Sequence, residues 1–121
     1  ITIFGDGTQL RDFNYVDDVV NAFLCATGKR DLYGGAFNLG HPDKHSLLDF
    51  VQLLSKYADF DFETIPFPED MKVIDIGDYY ADYTLFNSLV NWAPDVGLDE
   101  GLKRTLEYFE QCGDKYVDQD D

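Results

Sequence analysis

The stretch FGDGTQLRDFNYVDDV, Phe4 to Val19, decides how the rest of the chain is read. It begins where a short apolar strand, Ile1 to Phe4, is cut off by the turn Gly5-Asp6-Gly7. Leu10 to Tyr15 then reads as an extended segment, with Phe13 and Tyr15 on one face and Asp12 and Asn14 on the other. At Val16 the period changes. Val16, Val19, Val20, Phe23 and Ala26 recur at helical spacing, with Asp17 placed to cap the first turn and Asp18 just inside it. Carboxylates at that end, and Lys29 with Arg30 at the other, match the sign of the helix dipole.

Working outward, Gly34 and Gly35 precede Ala36-Phe37-Asn38-Leu39, a predicted strand stopped by Gly40 and Pro42. Ser46 starts a second helix with Asp49 three residues on, a capping-box spacing, and Leu47, Phe50, Val51, Leu54 and Tyr57 form its apolar face. Asp61 to Pro66 alternates polar and apolar residues, which predicts a strand ended by Pro66 and Pro68. Asp75 to Asp82 has no clear period and reads as a loop or short extended segment. Thr84 is expected to cap a helix through Trp92, which Pro94 stops. Asp99 is expected to open the last helix, whose stripe is Leu98, Leu102, Thr105, Leu106 and Phe109. The pattern is an α/β fold of short strands packed with three to four helices. The expected domain is 1–112, followed by an acidic tail, 113–121, expected to fray.

Composition narrows the functions available. The chain has 121 residues, 45% of them hydrophobic and 16% aromatic, as in a globular domain rather than a disordered one. Its net charge of −15 repels phosphate backbones and anionic lipid, so neither nucleic acid nor membrane is an expected partner. Two cysteines, Cys25 and Cys112, make no disulfide scaffold, which suits a reduced, cytoplasmic setting. The chain starts at Ile1 and its one methionine is Met71, so a piece of something longer is expected.

No catalytic set is complete. His41 and His45 are four apart, but Pro42 lies between them and no third ligand is near, so no metal site is expected. Neither cysteine has electropositive neighbours to activate it. Asp75, Asp78 and Asp82 resemble an acid/base cluster, yet carboxylates are abundant here and solvation explains most of them. Arg11 stands out as the only basic residue before Lys29. Beside a glycine-rich turn, its planar fork suits capture of a phosphate or carboxylate. The competing reading is a structural ion pair with Asp12, Asp17 or Asp18, and composition alone favours it. The turn is not a dinucleotide fingerprint, since Leu10 holds the third glycine position and a strand, not a helix, follows.

GDGTQLRDFNYVDDVVNAF resembles a segment of the extended short-chain dehydrogenases/reductases, specifically the NAD-dependent nucleotide-sugar epimerases and dehydratases. AFNLG is similar to that family's returning strand, DIGDYYADY to its later ligand loop, and NWAPDVGLDEGLKRTLEYF to its closing segment. The resemblance runs to about residue 110 and implies a small carboxy-terminal, substrate-binding portion of a Rossmann-type enzyme. It implies that NAD is held by the parent's other half, which would also carry the Tyr-x-x-x-Lys pair. No tyrosine here is followed at that spacing by lysine, so the fragment alone is expected to be inactive and to hold no cofactor.

By the same resemblance, Arg11 grips the diphosphate of a nucleotide-diphosphate sugar, and Thr2 and Phe4 line the nucleobase. Asp78 accepts hydrogen bonds from ribose hydroxyls, and Asn38 lies near the nucleotide, with a purely structural role as its alternative. Tyr15 to Asp18 and the Trp92–Pro94 region are read as packing and capping. Many family members carry a phosphate-clamping arginine where this chain has Asp75, and Lys72 is the one nearby substitute. The implied parent is a 4-epimerase and a homodimer, with the fragment a monomer. A 4,6-dehydratase or decarboxylase is the alternative within the family, and a non-enzymatic acidic interaction module the alternative outside it.

Overall fold

The computed structural model describes residues 1–116. Among them are four short strands and five helices. The strands are β1 (Thr2–Phe4), β2 (Leu10–Arg11), β3 (His45–Ser46) and β4 (Glu63–Ile65). The helices are α1 (Val16–Ala26), α2 (Leu47–Leu54), α3 (Glu69–Lys72), α4 (Thr84–Val90) and α5 (Leu98–Cys112). The expected α/β class is borne out. The helix beyond the expected three or four is α3, a single turn that follows Pro68 directly; proline's fixed φ and missing N–H suit a helix start.

β1 and β4 pair in parallel, Thr2 opposite Glu63 and Phe4 opposite Ile65. β2 and β3 pair antiparallel, Arg11 opposite His45, and Arg11 also bridges to Tyr79. Gly7 joins the two sheets. Its φ of 73° and an Ile3 methyl 3.2 Å from where a Cβ would stand leave room only for glycine. Its carbonyl accepts from the Leu48 amide at 3.0 Å and so closes the turn on the start of α2. The capping box there is complete. Ser46 Oγ accepts from the Asp49 amide at 3.0 Å, and Asp49 Oδ2 accepts from the Ser46 amide at 2.9 Å.

Three local expectations change. Thr84 does not cap α4; it is the first helical residue, and Asp82 Oδ1 accepts its amide at 2.8 Å. That helix ends at Val90, because Asn91 turns left-handed at φ 55°, and Trp92 leaves it for the core. Ala36–Leu39 forms no ladder: a strand needs a partner, and none of the described segments pairs with it.

The largest correction concerns α1. Its buried residues are Asp18 and Ala22, with Cys25 and Ala26 packed beside them, whereas Val16, Val20, Phe23 and Leu24 are exposed. Of the expected stripe, Ala26 packs on the core and Val19 is half-buried, while Val16, Val20 and Phe23 face away from it. The core is built by Ala22, Leu32, Phe86 and Trp92, with Phe37, Leu39 and Tyr83 against it. Of the tail expected to fray, Gly113–Lys115 form a 3-10 turn and Tyr116 packs edge-on to Phe109, with ring centroids 5.6 Å apart. Residues 117–121 of that expected tail lie outside the described residues.

Candidate functional site

β1, β2, α2 and the loop after α3 enclose a pocket of about 330 Å³. Its apolar body comes from Leu47, Phe50, Val51 and Phe67, with the Phe4 and Phe67 rings tilted at 57° and 5.8 Å between centroids. Thr2, Gln9, Arg11 and Asp75 supply its polar side chains. Apolar walls with a few placed polar groups are the usual make-up of a small-molecule site. The local sequence explains the placement. Two glycines fold β1 back towards β2, so Phe4 and Arg11, seven residues apart, line one cavity.

Arg11 is held from one side only. Its Nη1 donates to the carbonyls of Leu10 at 2.7 Å and Gly77 at 2.6 Å. Among the described residues Nε and Nη2 have no partner, and none of the ion pairs involves Arg11. Pairing with Asp12, Asp17 or Asp18 is therefore not what the structure shows. Asp12 Oδ2 instead accepts the amides of Ala81 at 2.9 Å and His41 at 3.3 Å, tying two loops together. Asp18 Oδ2 accepts the Val96 amide at 2.9 Å. Both carboxylates serve backbone donors, which leaves the guanidinium edge open to the pocket.

Of the residues singled out from sequence, Thr2, Phe4 and Arg11 come together. Asp78 is exposed and not among the pocket-lining residues, but its Oδ1 accepts the Leu10 amide at 2.9 Å, which fixes the 77–79 loop on β2 beside Arg11. Asn38 is exposed and is not among the pocket-lining residues. Lys72, the substitute clamp, also lies outside that lining.

Gln9 was missed. Its Nε2 donates to the Phe4 carbonyl at 3.4 Å, and its Oε1 is buried without a partner among the described residues. No period or charge pattern marks a lone glutamine after a turn, so only the folded pocket reveals it. Asp12 was missed for another reason. Beside Arg11 in sequence it reads as an ion-pair partner, yet successive strand residues point to opposite faces.

The Gly5–Gly7 turn runs into β2 and not into a helix, and its Gly7 carbonyl already takes an amide from the first turn of α2, so it is not the strand–turn–helix cradle of a dinucleotide pyrophosphate. Among the described residues no three His, Cys, Asp or Glu gather as metal ligands, and no helix is long and apolar enough to cross a membrane.

Residues 1–40 match the model of the NAD dependent epimerase/dehydratase family. UDP-glucuronic acid decarboxylase 1 of Danio rerio is 31% identical over 124 residues, covering 97% of this chain and 28% of that protein. UDP-glucuronate 4-epimerase of Thermodesulfobacterium geofontis is 32% identical, over 89% of this chain and 32% of its own length. The crystal structure of UDP-glucose 4-epimerase with UDP-glucose, from Thermotoga maritima, matches with a TM-score of 0.79 at 34% identity, covering 94% of this chain and 36% of that one. The chain therefore spans about a third of the length of these relatives. The resemblance expected from sequence is borne out.

Proposed function

We propose, from the chain's kinship with the NAD-dependent epimerase/dehydratase family, that it is the nucleotide-sugar-binding carboxy-terminal part of a longer NAD-dependent 4-epimerase. The observation that carries this reading is Arg11: a guanidinium edge left open on a pocket that Thr2 and Phe4 also line. A planar fork with free parallel donors is the group that bridges phosphoryl oxygens best.

In this reading Arg11 takes the diphosphate, Thr2 and Phe4 hold the base, and Asp78 presents its remaining carboxylate oxygen to a ribose hydroxyl. Asn38 is assigned no contact, since it lies outside the pocket lining and, unlike Asp78, no hydrogen bond among the described residues ties it to β2. NAD, bound by the rest of the parent, supplies the redox chemistry at sugar C4. This chain's contribution is positional: gripping the non-reacting nucleotide fixes the sugar relative to that chemistry.

Two surfaces support a longer parent. Phe23 and Leu24 on α1 are 70% and 67% exposed, and a helix apolar on both sides is normally covered on both. Beside α1, the Phe37–Leu39 segment packs on the same core while its backbone lacks a strand partner.

A decarboxylase is the second reading, favoured by the 31% identity to the Danio rerio enzyme, close to the 32% found for the 4-epimerase. The test uses the full-length protein that carries this chain. Incubated with NAD and UDP-glucose or UDP-glucuronic acid, it is expected to give the C4 epimer by proton NMR, and a pentose product with release of carbon dioxide would decide for the decarboxylase. In that protein Arg11→Ala is expected to weaken UDP-sugar binding by about 1.5–3 kcal/mol in calorimetry, the scale of a hydrogen bond to a charged group. Unchanged affinity would return Arg11 to a structural role.

A further inference from the structure

Asp75 lines the same pocket as Arg11, yet no ion pair joins them among the described residues: their charged atoms stand more than 4.0 Å apart. Asp75 is exposed and Arg11 half-buried, and neither charge is neutralised by another side chain among the described residues. Arg11 bonds two backbone carbonyls, and none of the hydrogen bonds recorded among the described residues involves the Asp75 carboxylate. Opposite charges sharing a cavity without meeting leave a polar gap between them. A ligand group that enters it feels both.

We propose that Asp75 is a specificity-determining residue of this pocket, an unpaired carboxylate that limits how much negative charge a ligand can bring to Arg11. The inference rests on the nucleotide-sugar reading above and sharpens it. With one cation and one anion on its walls, the pocket has no net charge of its own, and the chain around it carries −15. A neutral nucleoside half meets no penalty from Asp75. Each phosphoryl charge is attracted by Arg11 and repelled by Asp75, so the base and sugar faces carry more of the affinity than the diphosphate does. At an effective dielectric between surface and bulk values, one such repulsion across a few ångströms beyond ion-pair distance weakens binding by about 3- to 10-fold. A carboxylate can also accept a hydroxyl hydrogen bond, so the ligand it tolerates best places hydroxyls, not phosphoryl oxygens, on that wall.

Asp75→Asn tests the charge while keeping the shape, in the full-length protein, with uridine and UDP as probes in calorimetry. UDP is expected to bind about 3- to 10-fold tighter to the variant, uridine within twofold of the starting protein, and the gain to shrink at 0.5 M NaCl, about a 4 Å Debye length. Arg11→Ala is measured alongside. If it weakens UDP while Asp75→Asn leaves UDP within twofold, Asp75 does not set the charge tolerance and the site reading stands. If uridine and UDP gain equally in Asp75→Asn, the effect is not electrostatic discrimination and the inference is overturned. If neither substitution moves UDP, the site reading itself is lost.

Discussion

Around Trp92 the polar groups find partners inside the chain. The indole Nε1 donates to the Asp18 carbonyl at 3.0 Å, Asp18 Oδ2 accepts the Val96 amide, and Asn87 Nδ2 donates to the Trp92 carbonyl at 2.8 Å. Tyr83 and Phe86 meet the indole edge-on, at 5.8 and 5.6 Å between centroids. Around Arg11 the arrangement is reversed. Two nitrogens of the half-buried guanidinium and the buried Gln9 Oε1 have no partner among the described residues, in a cavity with apolar walls and the exposed Asp75 carboxylate on its edge. Unmatched buried or half-buried polar groups cost stability, so a fold keeps them where a ligand completes them. The first region holds the chain together, and the second is organised to be finished by something else.

That division can be broken by mutation, and the largest effect is expected at Trp92. Trp92→Ala removes the one large side chain fully buried among the described residues and a hydrogen bond, and is expected to cost about 3–5 kcal/mol in urea unfolding. A loss under about 1 kcal/mol would mean that the Trp92 cluster is not the centre of stability. Asp18→Ala comes next. It leaves the Val96 amide without its acceptor in a buried setting, and about 1–3 kcal/mol should be lost by the same measurement. Asp18→Asn, which keeps an acceptor, should recover most of it.

Smaller still is Ser46→Ala in the capping box of α2, with a loss of about 1 kcal/mol. This step is pH-dependent. The Ser46 amide first, and its hydroxyl second, hold the Asp49 carboxyl below its ordinary value. A carboxyl depressed in the folded state stabilises fully above its unfolded value, about pH 4, and loses that contribution as pH falls through the folded value. The difference between the starting protein and Ser46→Ala should therefore narrow in acid unfolding experiments below about pH 4. A gap that widens there would contradict the capping geometry.

The smallest change in stability is expected at Arg11, below about 1 kcal/mol for Arg11→Ala, because only Nη1 holds backbone, at the Leu10 and Gly77 carbonyls, and none of its nitrogens serves the core. Its effect belongs in ligand affinity. Were Arg11→Ala to unfold the chain, the contrast between the two regions would fail.

Local chemistry determined a good deal by itself. β-branched and aromatic residues at Thr2–Phe4, the capping box at Ser46 and the helical period after Tyr15 each depend on near neighbours, and each appears in the fold. Arg11 stands out as the lone cation of an acidic stretch, but composition alone favours an ion pair, and it is the fold that leaves its edge open. What only the tertiary structure decided is which way things face and whom they meet. Val16, Val19, Val20, Phe23 and Ala26 keep a helical apolar period, but which of them meets this chain's core is a property of packing: Ala26 does, Val16, Val20 and Phe23 face out, and Asp18 and Ala22 are turned inward. Ala36–Leu39 has strand-like residues and no strand, because a ladder requires a second segment that sequence alone does not position. Asp12, Gln9 and Asp75 acquire their roles only from residues far along the chain or across a cavity, since partnership between side chains is set by distance in space.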